Sequence, residues 1–150
     1  MKILIICSTS FYDRIEPIKK ELETKGHILK MPNCYDEPVT NEDNKKMSHD
    51  AYVAFFKKMY EESRQSISEV DAVLVLNYAK IKDGVKYDNY IGASTFLEMY
   101  EAFMQGKKIF ILNDYPNNML LDEIKGFNPI ILNGILELID WEVITYGNKN

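Results

Sequence analysis

Asp71-Ala-Val-Leu-Val-Leu-Asn77, followed after a polar loop by Tyr90-Ile-Gly-Ala-Ser-Thr-Phe-Leu-Glu98, is the stretch that decides the fold. Its first half is an unbroken apolar run of strand length, as expected of a strand covered on both faces in a parallel sheet. Its second half turns through Gly92 into a helix that ends before Gly106, with Glu98 expected in the first turn. A strand, a loop and a glycine-led helix in that order place a carboxylate where α/β proteins bind small ligands.

The rest of the chain falls into the same alternation. Ile3 to Cys7 is a second continuous apolar run. Asp13 to Lys25 reads as a helix with Ile15, Ile18 and Leu22 on one side, ended by Gly26, and His27 to Lys30 as a short second strand. Met31 to Lys46, rich in Pro, Asn, Asp and Glu, reads as a long loop. Met47, Ala51, Phe55, Phe56, Met59, Tyr60 and Ile67 recur at helical spacing, which predicts a long amphipathic helix with its aromatic face in the core or partly at a subunit interface. Val70 to Leu76 is the third strand, Thr95 to Gln105 the third helix and Lys108 to Leu112 the fourth strand. Leu120 to Lys125 is expected to be a short helix, Pro129 to Leu132 a fifth strand and Gly134 to Ile139 a last helical piece.

Right-handed crossovers put helices on both faces of such a sheet. The expectation is therefore one domain over residues 1–150, an α/β flavodoxin-like three-layer sandwich with five parallel strands in the order 2-1-3-4-5. Ligands in these sheets bind beyond the carboxyl ends of the strands, at the switch point between the first and third. The loops facing that crevice are Ser8 to Tyr12 and Asn77 to Thr95.

Composition narrows the partners. A net charge of -5 with mixed signs offers no basic stripe for a phosphate polymer, so nucleic acids are not expected as partners. The opening Met1-Lys2-Ile3-Leu4-Ile5-Ile6-Cys7 is too short for an export signal, and nothing approaches a membrane span. Two cysteines, Cys7 and Cys34, then read as free thiols in a reducing cytoplasm, with Cys7 ending a buried strand. Phosphate-receiver chemistry would need acids after the first and third strands, where the chain has Cys7, Ser8 and Asn77. Ser8-Thr9-Ser10-Phe11-Tyr12 has hydroxyls but no glycine to let backbone amides wrap a flavin phosphate. No dinucleotide fingerprint, P-loop or zinc spacing occurs and the two histidines are isolated, so neither a metal nor a redox cofactor is expected.

Asp71-x-Val-Leu-Val-x-Asn77, then Tyr90-Ile-Gly-x-x-Thr95-x-x-Glu98-x-x-x-Ala102 and Gly106-Lys107-Lys108-Ile109, resembles the nucleoside 2-deoxyribosyltransferase-like family across the middle third of the chain, and the remainder only in layout. The resemblance implies that Glu98 is the nucleophile attacking the anomeric carbon of a nucleoside or nucleotide, with Gly92 and Thr95 shaping the hydroxymethyl or phosphate end of the site. It also implies a homo-oligomer, for which the helix from Met47 to Ile67 offers the contact. Where the family often places an acid that protonates the base, this chain has Asn77, an amide that bonds a base edge but donates no proton as an acid.

Residue chemistry is compatible with that role. A carboxylate can displace a base from an oxocarbenium-like centre, and amide dipoles at a helix start favour its ionised form. Asn77 and Tyr90 are expected to position the substrate, with Ser8, Ser10, Gly92 and Thr95 touching sugar or phosphate. Phe11, Tyr12 and Tyr90 could stack on a base or sugar; Asp83, Asp88, Tyr90 or water would have to protonate a departing base, with a surface role the default for the two aspartates, and Asn113 carries both a ligand and a turn reading. The competing explanation of the motif is local: Thr95-x-x-Glu98 also fits a capping box, in which the glutamate merely ties off a helix start. A nucleotide-binding domain without turnover stays open beside the enzyme.

Overall fold

The computed structural model describes residues 1–117 and 120–147. Five parallel strands form the sheet: β1 (Lys2–Ile6), β2 (Ile28–Lys30), β3 (Ala72–Val75), β6 (Lys108–Ile111) and β7 (Ile130–Ile131). Their order is β2-β1-β3-β6-β7, which is the expected arrangement once the five are numbered consecutively. Register is fixed by Ile5 against Leu74 and Leu74 against Phe110. Because side chains alternate across a strand, each central strand feeds two cores. Ile3, Ile5, Leu74 and Phe110 pack with Ile15 and Leu22 of α1 (Ile15–Thr24) and Ile139 of α6 (Glu137–Gly147). On the opposite face Leu4, Ile6, Val73, Val75 and Ile111 pack with Ile67 of α3 (His49–Ser68), Met99 and Ala102 of α4 (Ala93–Met104) and Ile124 of α5 (Leu121–Gly126). All of these are almost fully buried, so the central strands read as continuous apolar runs.

The departures from expectation have local causes. The segment Thr9–Arg14 is a tight 3-10 turn before α1, with Ser8 accepting from the Ser10 amide at its start. The loop after β2 contains a short helix, α2 (Asn41–Lys45), closed by a capping box between Thr40 and Asp43. The polar stretch between Asn77 and Thr95 is not a simple loop. It holds an antiparallel hairpin, β4 (Lys80–Lys82) and β5 (Val85–Tyr87), joined by Asp83 and Gly84. Both turn residues have positive φ, 52° and 75°, as a two-residue turn matching the right-handed twist of strands requires. The Tyr90 amide donates to the Tyr78 carbonyl at 2.8 Å and closes the insertion at its base.

The long helix departs most. Of α3 only Ser63 and Ile67 are buried, while Tyr52, Val53 and Tyr60 are exposed at 41%, 52% and 48%. Its first two-thirds therefore lie outside the core and present an apolar stripe. Among the described residues no helix is long and apolar enough to cross a membrane, and no cluster of three or more His, Cys, Asp or Glu is arranged to hold a metal ion.

Candidate functional site

The decisive question is where Glu98 goes. Helix α4 begins one turn earlier than the capping box needs: its N-cap is Gly92, whose carbonyl accepts from the Phe96 amide at 2.9 Å, with no side chain capping it. Thr95 is therefore inside the helix and buried, and Glu98 sits in the second turn instead of the first. The capping alternative falls with that placement. So does the expected help from the helix dipole, which fades beyond the first turn.

Glu98 instead meets α3. The Ser63 hydroxyl donates to Glu98 Oε2 at 3.2 Å, and Ser63 Oγ in turn accepts from Asn33 Nδ2 at 2.7 Å. Asn33 also donates to the Met59 carbonyl at 3.1 Å, and its own carbonyl accepts from the Tyr12 hydroxyl at 2.9 Å. The loops after β1 and β2 thus converge with α3 on the carboxylate of α4. One turn further along, the Arg64 guanidinium donates to Glu101 at 3.0 Å and the Gln105 amide bridges both, which fixes the rotation of α4 against α3.

This setting shapes the protonation states. Burial pushes the Glu98 carboxyl up to about 7, with the Ser63 hydroxyl pulling partly the other way. The residue keeps partial exposure, yet enough protein surrounds its head to remove it from bulk water. Burial and then the nearby Glu98 charge push the Cys7 thiol up to about 12, so it is an inert, protonated wall. Burial above all, with the nearby Glu98 charge adding to it, pushes the Tyr12 phenol upward, which keeps it a hydrogen-bond donor. Tyr12 follows the carboxyl end of β1 and Asn33 that of β2, and the bonds from Tyr12 to Asn33, Asn33 to Ser63 and Ser63 to Glu98 bring the carboxylate to that edge of the sheet, beside the switch point.

The other expected residues divide. Asn77 is fully buried, and its Nδ2 donates to the Asp114 carbonyl at 2.8 Å while its Oδ1 accepts from the Asn113 amide at 2.9 Å. Asn113 Nδ2 returns a bond to the Asn77 carbonyl at 3.1 Å. The Asn77 amide is occupied at both ends in stitching β3 to β6, so it presents no free edge to a base, while Asn113 gives its Nδ2 to the same seam. Phe11, expected as a stacking surface, is buried edge-on against Tyr78 and Tyr90, with ring centroids 5.4 Å and 6.5 Å away. Asp83 is a turn residue, and Asp88 is exposed and pairs with Lys86 at 3.8 Å.

Tyr90, Gly92 and Ser8 do gather. A Cβ on Gly92 would lie 3.2 Å from the Tyr90 hydroxyl and 3.3 Å from its ring, so the glycine allows the tyrosine to pack against the helix start. Lys80 Nζ stands 4.8 Å over the same ring and donates to Ser8 Oγ at 3.2 Å. Ser10, one residue beyond the turn's start, is exposed. Three participants were not foreseen: Asn33, Ser63 and Lys80. Ser63 had a signal, since it falls at helical spacing between Met59 and Ile67, a small polar residue within an apolar stripe. Lys80 had one in the Asp83-Gly84 hairpin turn.

No family model matches the chain, and no curated protein matches it. Among solved structures it is similar to the CMP N-glycosidase of Clostridium botulinum, with a TM-score of 0.50 and 18% identity over 89% of this chain and 90% of that one. It is also similar to a 2-deoxyribosyltransferase from Bacillus psychrosaccharolyticus, with a TM-score of 0.45 and 17% identity over 74% and 71% of the two chains. The likeness to the N-glycosidase, nearly end to end in both chains, is a likeness of fold.

Proposed function

We propose that the chain cleaves or transfers at the N-glycosidic bond of a nucleoside or nucleotide, with Glu98 as the nucleophile. The observation that carries this reading is the carboxylate itself: it does not cap its helix, among the described residues it meets no cation, and a serine held by an asparagine orients it at the ligand edge of the sheet. A structural glutamate so far removed from water gains little stability for the chain. In the reaction, a Glu98 oxygen attacks C1′ and the C1′–N electron pair leaves on the base, which takes a proton from solvent. Water or a second base then attacks C1′ and frees the carboxylate.

Ser63 occupies Oε2, which leaves Oε1 to attack. Tyr12, Tyr90, Ser8, Ser10 and Thr95 remain the proposed substrate surroundings. Asn77 acts on the site by holding its wall, and Asn113 stays among the proposed substrate contacts beside it. Assembly of several copies through the exposed Tyr52, Val53 and Tyr60 stripe belongs to the same reading, and a dimer or larger species in multi-angle light scattering, lost on Val53→Glu, tests it.

One observation favours a second reading. With the Asn77 amide committed to backbone, no acid stands at the end of β3 to protonate a departing base, so a nucleotide-binding domain without turnover fits the same geometry. Chromatographic detection of free base from a panel of nucleosides and 5′-monophosphates separates the two. Base release lost in Glu98→Ala supports the enzyme; thermal stabilisation by a ligand without release supports the binder.

A further inference from the structure

Lys80 sits where the enzyme reading alone has no use for it. It rises from the first strand of the hairpin, half-buried, with its ammonium on the Ser8 hydroxyl and over the Tyr90 ring. Among the described residues it has no carboxylate partner. Burial and then the neighbouring Lys82 pull its pKa down, so a cation is held there against its preference, and a bound anion would relieve both causes. Ser8 Oγ already accepts from the Ser10 amide and from Lys80, which leaves its own proton to donate. Ser8 opens the turn that carries Tyr12, whose hydroxyl holds the Asn33 that bonds Ser63 at Glu98, and Tyr90 packs on Gly92 at the head of the helix that carries Glu98. The ammonium therefore borders the proposed site and does not lie on a remote surface.

We infer that the hairpin is an anion clamp: Lys80, with Ser8, receives the 5′-phosphate of the substrate, so that the ligand is a nucleoside 5′-monophosphate and not a free nucleoside. The inference rests on the glycosidic reading for its placement, and names the substrate class of that site. A phosphate supplies oxygens for both donors at once, whereas a 5′-hydroxyl would leave the ammonium without a counter-charge. The Asp83-Gly84 turn and the Tyr78–Tyr90 bond hold the hairpin in shape, so the lysine is positioned before the ligand arrives.

The test is calorimetric titration of the full chain with AMP, GMP, CMP and UMP, with the four matching nucleosides, and with inorganic phosphate. At least one monophosphate is expected to bind tenfold or more tightly than its nucleoside, with affinity falling as salt rises. Lys80→Ala is expected to lose about tenfold for that monophosphate and nothing for the nucleoside. Lys80→Arg, which keeps the charge, should retain most of the binding, and exposed Lys82→Ala should change little. Equal affinity for nucleoside and monophosphate overturns the inference, as does a Lys80→Ala loss shared equally by both. Inorganic phosphate binding as tightly as any monophosphate overturns it too, because the site would then take a free anion.

The two readings fail separately. Release of base from nucleosides, blocked by Glu98→Ala and indifferent to phosphate, keeps the enzyme and removes the clamp. Lys80-dependent monophosphate binding with no base released keeps the clamp and removes the chemistry. No binding of any compound overturns both.

Discussion

Asn77 and Glu98 both stand at the ligand edge of the sheet, and both carry polar heads out of bulk water, yet the molecule treats them oppositely. Every polar atom of the Asn77 side chain meets backbone from one neighbouring segment, Asn113–Asp114, so the residue is spent on architecture. Glu98 meets a single hydroxyl, itself held by a third residue, and burial keeps its carboxyl near neutrality. A buried amide with all partners satisfied stabilises the fold, whereas a buried acid with one partner costs stability and persists where its reactivity is used. The contrast teaches that the sheet edge has a fixed half, under β3 and β6, and a chemically poised half, under β1 and α4.

Substitutions can break that contrast. The largest effect is expected in Glu98→Ala, with base release down by roughly a thousandfold or more while the melting temperature holds or rises. Asn77→Ala should do the reverse: leaving the Asn113 amide and Asp114 carbonyl unpartnered costs about 3 kcal/mol, seen as a Tm lower by about 10 °C in calorimetry. Glu98→Gln sharpens the comparison through pH. In the folded chain Glu98 keeps its proton up to about 7, but once unfolded it loses it near the ordinary 4.5. Folding is thus progressively penalised as pH rises from 4.5 to 7, and the glutamine removes the penalty. The variant should gain on the order of 3 kcal/mol over wild type in urea melts at pH 8 and nothing at pH 4. An equal gain at both values would mean the carboxyl is not the cause.

The smallest effect belongs to Ser63→Ala. In the proposed reaction ionised Glu98 is the attacking form, so kcat/KM should rise with pH through about 7, and loss of the serine hydroxyl should move that limb to higher pH. Ser63→Thr, which can donate the same bond, should bring it back. A limb that stays in place in both variants would show that the hydroxyl does not orient or tune the acid.

The sheet was readable because its central strands are buried on both faces and so run without polar interruption, as in Ile3 to Ile6 and Ala72 to Val75. Strand order was suggested by the alternation of five strands with helices, and the handedness of crossovers put those helices on both faces. The site was half readable. Glu98 and Gly92 carry a local motif, but Ser63 and Asn33 reach the carboxylate through the rotation of α3 against α4, set by long-range contacts such as Arg64 with Glu101. The Thr95 cap failed because Gly92, three residues earlier, already starts the helix. The aromatic face of α3 was left between core and subunit interface for a plainer reason: helical spacing shows that Tyr52, Phe56 and Tyr60 share a side, and nothing in spacing says whether the sheet reaches it.

The bond from the Tyr90 amide to the Tyr78 carbonyl gives the hairpin a consequence of its own. The insertion leaves and rejoins the body at nearly one point, so its span can be trimmed, lengthened or exchanged without disturbing strand register. If the hairpin is the proposed clamp, selectivity at the 5′ end of a ligand can drift while the scaffold stays put, and a graft of a different ribbon between those two tyrosines is the direct route to a retuned variant.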